Sequence, residues 1–206
     1  MASNNYIYKM SNAGGMSTIT RYVDMLAGNT TWNPWEPAGA YDALATVTVP
    51  SGGAASVEFA GIPTGYKHLQ IRGIARAASG NVNAIQIRLN GDTGANYAWH
   101  VLYGNGTSAA SAATASTATA LMSYQANPTN DGAGVFGATI TDILDYANTN
   151  KNTTVRNLSG RDGNGTGEIG LWSALWTNTS AVNNITLISS GANFAQHSTF
   201  ALFGVK

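Results

Sequence analysis

The stretch Tyr66-Lys-His-Leu-Gln-Ile-Arg-Gly-Ile-Ala75 decides the fold. Successive side chains of an extended chain point to opposite faces. Leu69, Ile71, Gly73 and Ala75 therefore share one face, and His68, Gln70, Arg72 and Ile74 share the other. A largely apolar face backed by a largely polar one marks a half-buried β-strand. The segments on either side repeat the alternation, so this strand is expected to be a central one in a β-sandwich.

Working outward, Leu44 to Val49 and Ala55 to Phe59 flank Pro50-Ser51-Gly52-Gly53, whose residues predict a hairpin turn. Downstream, Ile85, Ile87 and Leu89 alternate and end at Asn90-Gly91-Asp92, a strong turn signal. Tyr97, Trp99, Val101 and Tyr103 then form an aromatic face. Gly104 to Ala120 is made almost wholly of Ala, Ser, Thr and Gly and predicts a long surface loop. Leu121 to Tyr124, Val135 to Tyr146, Thr153 to Leu158, Glu168 to Trp176, Asn184 to Ile188 and Ser198 to Val205 complete the set. About ten or eleven short strands separated by turn signals predict an all-β sandwich of jelly-roll type across residues 38–206.

Residues 1–37 read differently. Ile19, Tyr22, Val23 and Leu26 have the i, i+3, i+4, i+7 spacing of one helical face, with Ser17 or Thr18 as a cap and Gly28 as a stop. Asn33-Pro34-Trp35-Glu36-Pro37 follows as a stiff, non-helical connection. This segment is expected to be a short irregular or helical arm. Its apolar quartet either packs on its own sandwich or serves as a docking face for another subunit.

Composition narrows the function. Only 10% of the 206 residues are charged, against roughly 25% in a typical globular chain, and the net charge is zero. Such a surface suits a protein that packs into an assembly, because little repulsion keeps neighbours apart. The Lys and Arg residues form no basic run of the kind that phosphate recognition needs, so no nucleic-acid partner is expected. No apolar run approaches the ~20 residues of a membrane span, and Met1 to Ser11 lacks the apolar core of a signal peptide. The expectation is a soluble protein, made in a cytoplasm, without membrane insertion.

The residues that carry chemistry are few. There is no cysteine, and His68, His100 and His197 fall on separate predicted strands without metal-ligand spacing. Asp142 and Asp145 are an odd number of residues apart, hence on opposite strand faces, and cannot act as a glycosidase pair. Asp162-Gly-Asn-Gly-Thr-Gly-Glu168 resembles half a calcium loop, but Ser173 stands where a bidentate Glu is required. No catalytic residue, cofactor site or metal site is expected, and the protein is read as no enzyme. Trp172 and Trp176, an even number apart, share a strand face and are the candidate glycan contacts. An ordinary core role stands beside that reading.

Several segments resemble a known family: Tyr8-Lys-Met-Ser-Asn-Ala-Gly-Gly15, Arg21-Tyr22, Asp24-Met-Leu-Ala-Gly-Asn29, Ile62-Pro63, Tyr66 to Gly73, Asp92-Thr-Gly-Ala-Asn-Tyr97, Asp142 to Lys151, Asn157-Leu-Ser-Gly160 and Ser198 to Lys206. They are similar to small virion structural proteins of tailed bacteriophages, notably cyanophages and other marine phages, and to modules at the ends of tail-fibre proteins. The resemblance implies a non-enzymatic virion component displayed on the capsid or tail surface as a decoration or appendage. The implied partners are itself, as a homotrimer, and other virion proteins. The alternative is a receptor-binding adhesin, a fibre or spike tip that recognises host-surface polysaccharide.

Overall fold

The computed structural model describes residues 40–80, 84–124, 131–163 and 165–206. Twelve strands and no helix occur among them: β1 (Tyr41–Thr48), β2 (Ser56–Ala60), β3 (His68–Ala75), β4 (Ala84–Leu89), β5 (Tyr97–Gly104), β6 (Ala109–Thr117), β7 (Ala120–Tyr124), β8 (Gly137–Leu144), β9 (Thr153–Asp162), β10 (Gly167–Trp176), β11 (Asn184–Ser189) and β12 (Thr199–Val205). The expected arm, with Ile19, Tyr22, Val23 and Leu26, lies outside the described residues.

The strands form two antiparallel sheets. One has eight strands in the order β1-β12-β3-β8-β9-β10-β5-β6, and the other has four in the order β2-β11-β4-β7. The chain alternates between sheets from β1 to β4. β5–β6 and β9–β10 then extend the large sheet beyond β8. The opening stretch is β3, an interior strand bonded to β12 on one side and β8 on the other.

Cross-strand register builds the core in rows. In the small sheet Val57, Leu187, Ile87 and Ala120 stand opposite one another in sequence, and Phe59, Ile185 and Leu89 form the next row. These residues meet Leu69, Ile71, Phe200, Leu202, Ile143, Val155 and Trp176 from the large sheet in one apolar cluster. Gly73 is needed where β3 crosses this core. A Cβ there would stand 2.7 Å from the Phe200 ring and 2.8 Å from the Thr139 methyl.

Two expectations change. The Pro50–Gly53 turn does not close a hairpin, because β1 pairs with β12 and β2 pairs with β11 in the other sheet. The turn is tight, with the Gly53 N–H donating to Pro50 O at 3.1 Å and both glycines at positive φ. It serves to carry the chain between layers. Most of Gly104–Ala120, expected as a loop, is the edge strand β6, paired along β5 from Gly104↔Ala109 to Tyr97↔Thr117. The pairing is made by backbone groups, and it is indifferent to how little side chain the segment carries.

Candidate functional site

The outer face of the eight-stranded sheet, the one turned away from the small sheet, carries the largest exposed apolar side chains. Register places Arg72, Ile140, Leu158, Leu171, Leu102 and Ser111 in a single row across β3, β8, β9, β10, β5 and β6. The neighbouring row runs Ile74, Ala138, Gly160, Ile169, Gly104 and Ala109. The six aliphatic side chains in these two rows are each 44–62% exposed. Covering six half-exposed aliphatics would contribute about 5–9 kcal/mol of apolar transfer energy.

Part of β8 and β9 inverts the polarity of the usual sandwich, although Ile143 and Val155 keep it. Thr139, Thr141, Thr153, Asn157 and Ser159 are buried on the inner face, while Ile140 and Leu158 lie exposed on the outer one. The Asn157 amide donates to Thr139 Oγ1 and Thr141 Oγ1, the second at 2.7 Å, which joins these three buried side chains. β10 is apolar on both sides: Trp172, Ala174 and Trp176 face in, Ile169 and Leu171 face out. In an antiparallel sheet, where one solvated polar face is the common arrangement, an apolar outer face of this kind suits contact with another surface.

A polar row borders the apolar ones, and its charges are matched within it. Arg156 bonds Asp142 at 2.9 Å, Gln70 Nε2 donates to Asp142 Oδ1 at 2.8 Å, and Arg72 Nε donates to Gln70 Oε1 at 2.8 Å. Arg72 also lies 4.9 Å from the Phe203 ring centroid. Two shallow hollows interrupt the face. One of about 700 Å³ lies over Gly104, Gly160 and Ile169 at the β9–β10 tip, and one of about 500 Å³ lies beside Leu102, Leu171 and Ala113.

The candidate glycan contacts fail on burial. Trp172 and Trp176 do share a face, as their spacing requires, but it is the inner one and each is 1% exposed. Trp172 packs against Trp99 and Tyr124, and Trp176 stacks on Tyr97. Neither indole offers a surface to a sugar ring.

The remaining titratable groups sit in structural contacts. Asp142 is on the outer face of β8. Asp145 lies past the strand end at φ 48°, held by Lys67 at 3.1 Å and by Lys151. Those ammonium groups, Lys151 foremost, hold its carboxyl down at about 2. His68 Nδ1 accepts the Asp145 N–H at 2.9 Å. In the Asp162–Glu168 segment, Gly163 and Thr166 close a hairpin loop through a 2.7 Å backbone bond. Asp131, buried, receives Arg161 at 2.8 Å and the Thr166 hydroxyl at 3.0 Å, and so fastens the loop. Burial raises the Glu168 carboxyl, partly offset by Arg161. Among the described residues no three His, Asp or Glu side chains come together as a metal site would need, and no helix is long and apolar enough to cross a membrane.

One node escaped the sequence reading. Asp92, taken as a turn residue, accepts bonds from Gly94 N at 2.8 Å, Asn96 Nδ2 at 2.8 Å and the buried Trp176 Nε1 at 2.7 Å. These bonds, Trp176's first, lower its pKa. The Asp-Thr-Gly-Ala-Asn spacing signals the local turn, but the indole partner is distant in sequence and leaves no local trace. No family model, curated protein or solved structure matches the chain.

Proposed function

We propose that this chain is a non-enzymatic structural component of a tailed-phage particle, displayed on the capsid or tail surface as a homotrimeric decoration or appendage. The supporting observation is the outer face of the large sheet: apolar, locally charge-matched, and carried by strands whose composition suits burial on both sides. Together with a charged fraction of only 10%, such a face suits a subunit that is covered in an assembly. We read the strand orders β1-β12-β3-β8 and β2-β11-β4-β7 as a jelly roll, the product of wrapping one long antiparallel ribbon. On this reading β5–β6 and β9–β10 are additions that widen one sheet. The sequence resemblance to virion proteins supplies the biological setting.

Imaging of purified particles tests the proposal. Density for this domain on the shell or tail, with the chain found among the particle proteins, is the expected result. A chain missing from washed particles would refute it. The receptor-binding reading keeps one supporting observation, the hollow at Gly104, Gly160 and Ile169, which Asn105, Arg161 and Asp162 line with polar groups. Glycan binding by the isolated protein that is lost on Asp162→Ala would favour that reading instead.

A further inference from the structure

We infer that the outer face of the eight-stranded sheet, centred on Leu158, Leu171 and Ile169, is the surface on which a second copy of this chain docks. The inference rests on the self-association proposed above and adds to it a two-fold contact, in which the same face meets itself, separate from the three-fold contact of a trimer.

Three observations select a second copy over an unrelated partner. The first is shape. Ile169 is 62% exposed and stands in its row between Gly160 and Gly104, where the absence of side chains leaves hollows. An added Cβ at either glycine would meet only a backbone oxygen, at 3.6 Å, so no neighbouring side chain fills those positions. The face therefore carries both projecting aliphatic side chains and recesses beside them. Self-complementarity of this kind is what contact between identical surfaces requires.

The second observation is charge. Asp142 pairs with Arg156 and Gln70 inside the face. The Arg72 guanidinium lies at the β3 side of the face, bonded to Gln70 and set against the Tyr41 and Phe203 rings, and the chain's net charge of zero adds no long-range repulsion.

The third is size. Eight strands about 4.8 Å apart and about eight residues of 3.3 Å in length span a face on the order of 900 Å². A stable specific interface needs about 800 Å² from each partner. The whole face, with its apolar centre and polar margin, meets that requirement, and it has the arrangement of an interface core and rim.

The test uses the full chain, followed by light scattering across a dilution series. The wild type is expected at an even multiple of 21.3 kDa, as a two-fold contact requires. Leu158→Asp together with Leu171→Asp is expected at half the wild-type mass, with its far-UV circular dichroism retained. A wild type that remains oligomeric and variants that remain equally so would overturn the docking face while leaving self-assembly intact. A wild type that is monomeric throughout would overturn the inference, whatever particle imaging shows about the virion role.

Should the double variant unfold, thiol accessibility gives an independent answer. The chain has no cysteine, so Ile169→Cys introduces a single reporter. It should react with a thiol reagent several-fold more slowly than Ser51→Cys, on the exposed turn between layers. The difference should vanish on dilution to monomer. Equal rates at high concentration would overturn the inference.

Discussion

Replacing Asp92 with alanine removes the acceptor for three donors, but the donors differ in what they lose. Gly94 N and Asn96 Nδ2 are half-buried and recover water, so together they cost about 1 kcal/mol. Trp176 is 1% exposed, and its indole N–H would be left unpaired inside the protein, at about 1–3 kcal/mol. The expected total is about 3 kcal/mol, a fall in Tm of roughly 6–12 °C for a domain of this size.

A double-mutant cycle isolates the indole bond. Trp176→Phe keeps an aromatic ring for stacking on Tyr97, whose centroid lies 6.4 Å away at 18°, but has no N–H to leave unpaired. In that background Asp92→Ala should cost only about 1 kcal/mol, giving a coupling near 2 kcal/mol by denaturant unfolding. A coupling below about 0.5 kcal/mol would mean that the two side chains act independently, and the reasoning would fail.

Two further outcomes are expected from the electrostatics. Asp145 and Asp92 both have folded-state pKa values below their ordinary 3.8, so their stabilisation is complete above that value and is lost as pH falls through the lowered ones. Tm should drop between about pH 4 and pH 2, and Lys151→Ala should flatten part of that drop; an unchanged profile in the variant would contradict the assignment. Asp131→Ala leaves the Arg161 guanidinium, 15% exposed, without its carboxylate at the β9–β10 tip, and should cost about 3–5 kcal/mol. A loss below about 1 kcal/mol in denaturant unfolding would show that the loop is held by its backbone bonds alone.

Strand positions were legible because alternation is a local property. Eleven of the twelve strands fall on segments that the apolar rhythm marks. β6 was not legible, since Ala, Ser and Thr in sequence give no contrast between faces, and its place is fixed by backbone bonding to β5. Strand partners were also hidden: Pro50–Gly53 has the same turn chemistry whether it joins neighbours in one sheet or crosses between two. Likewise the spacing of Trp172 and Trp176 establishes that they share a face but not which face. The decisive contacts of Asp92 with Trp176 and of Asp131 with Arg161 join residues far apart in the chain.

β10 shows most plainly what periodicity cannot decide, because both of its faces are apolar and polarity does not distinguish inside from outside. Size does. The inner face must fill the space between the sheets, and the bulky Trp172 stands there opposite Asn157, in the part of the core to which β8 and β9 contribute Thr139, Thr141, Asn157 and Ser159. The outer face holds the smaller Ile169 and Leu171. Adjacent residues of one strand should therefore respond very differently to truncation. Trp172→Ala opens a cavity in the core and should cost about 3–5 kcal/mol at any protein concentration. Leu171 is 50% exposed, so Leu171→Ala in the dilute monomer should cost about 1 kcal/mol or less. Its cost should rise with concentration as copies associate, because the side chain then stabilises the assembly as well as the fold. Equal costs for the two substitutions at high dilution would mean that the inner and outer faces of β10 have been exchanged. A Leu171→Ala cost independent of concentration would mean that nothing covers the outer face.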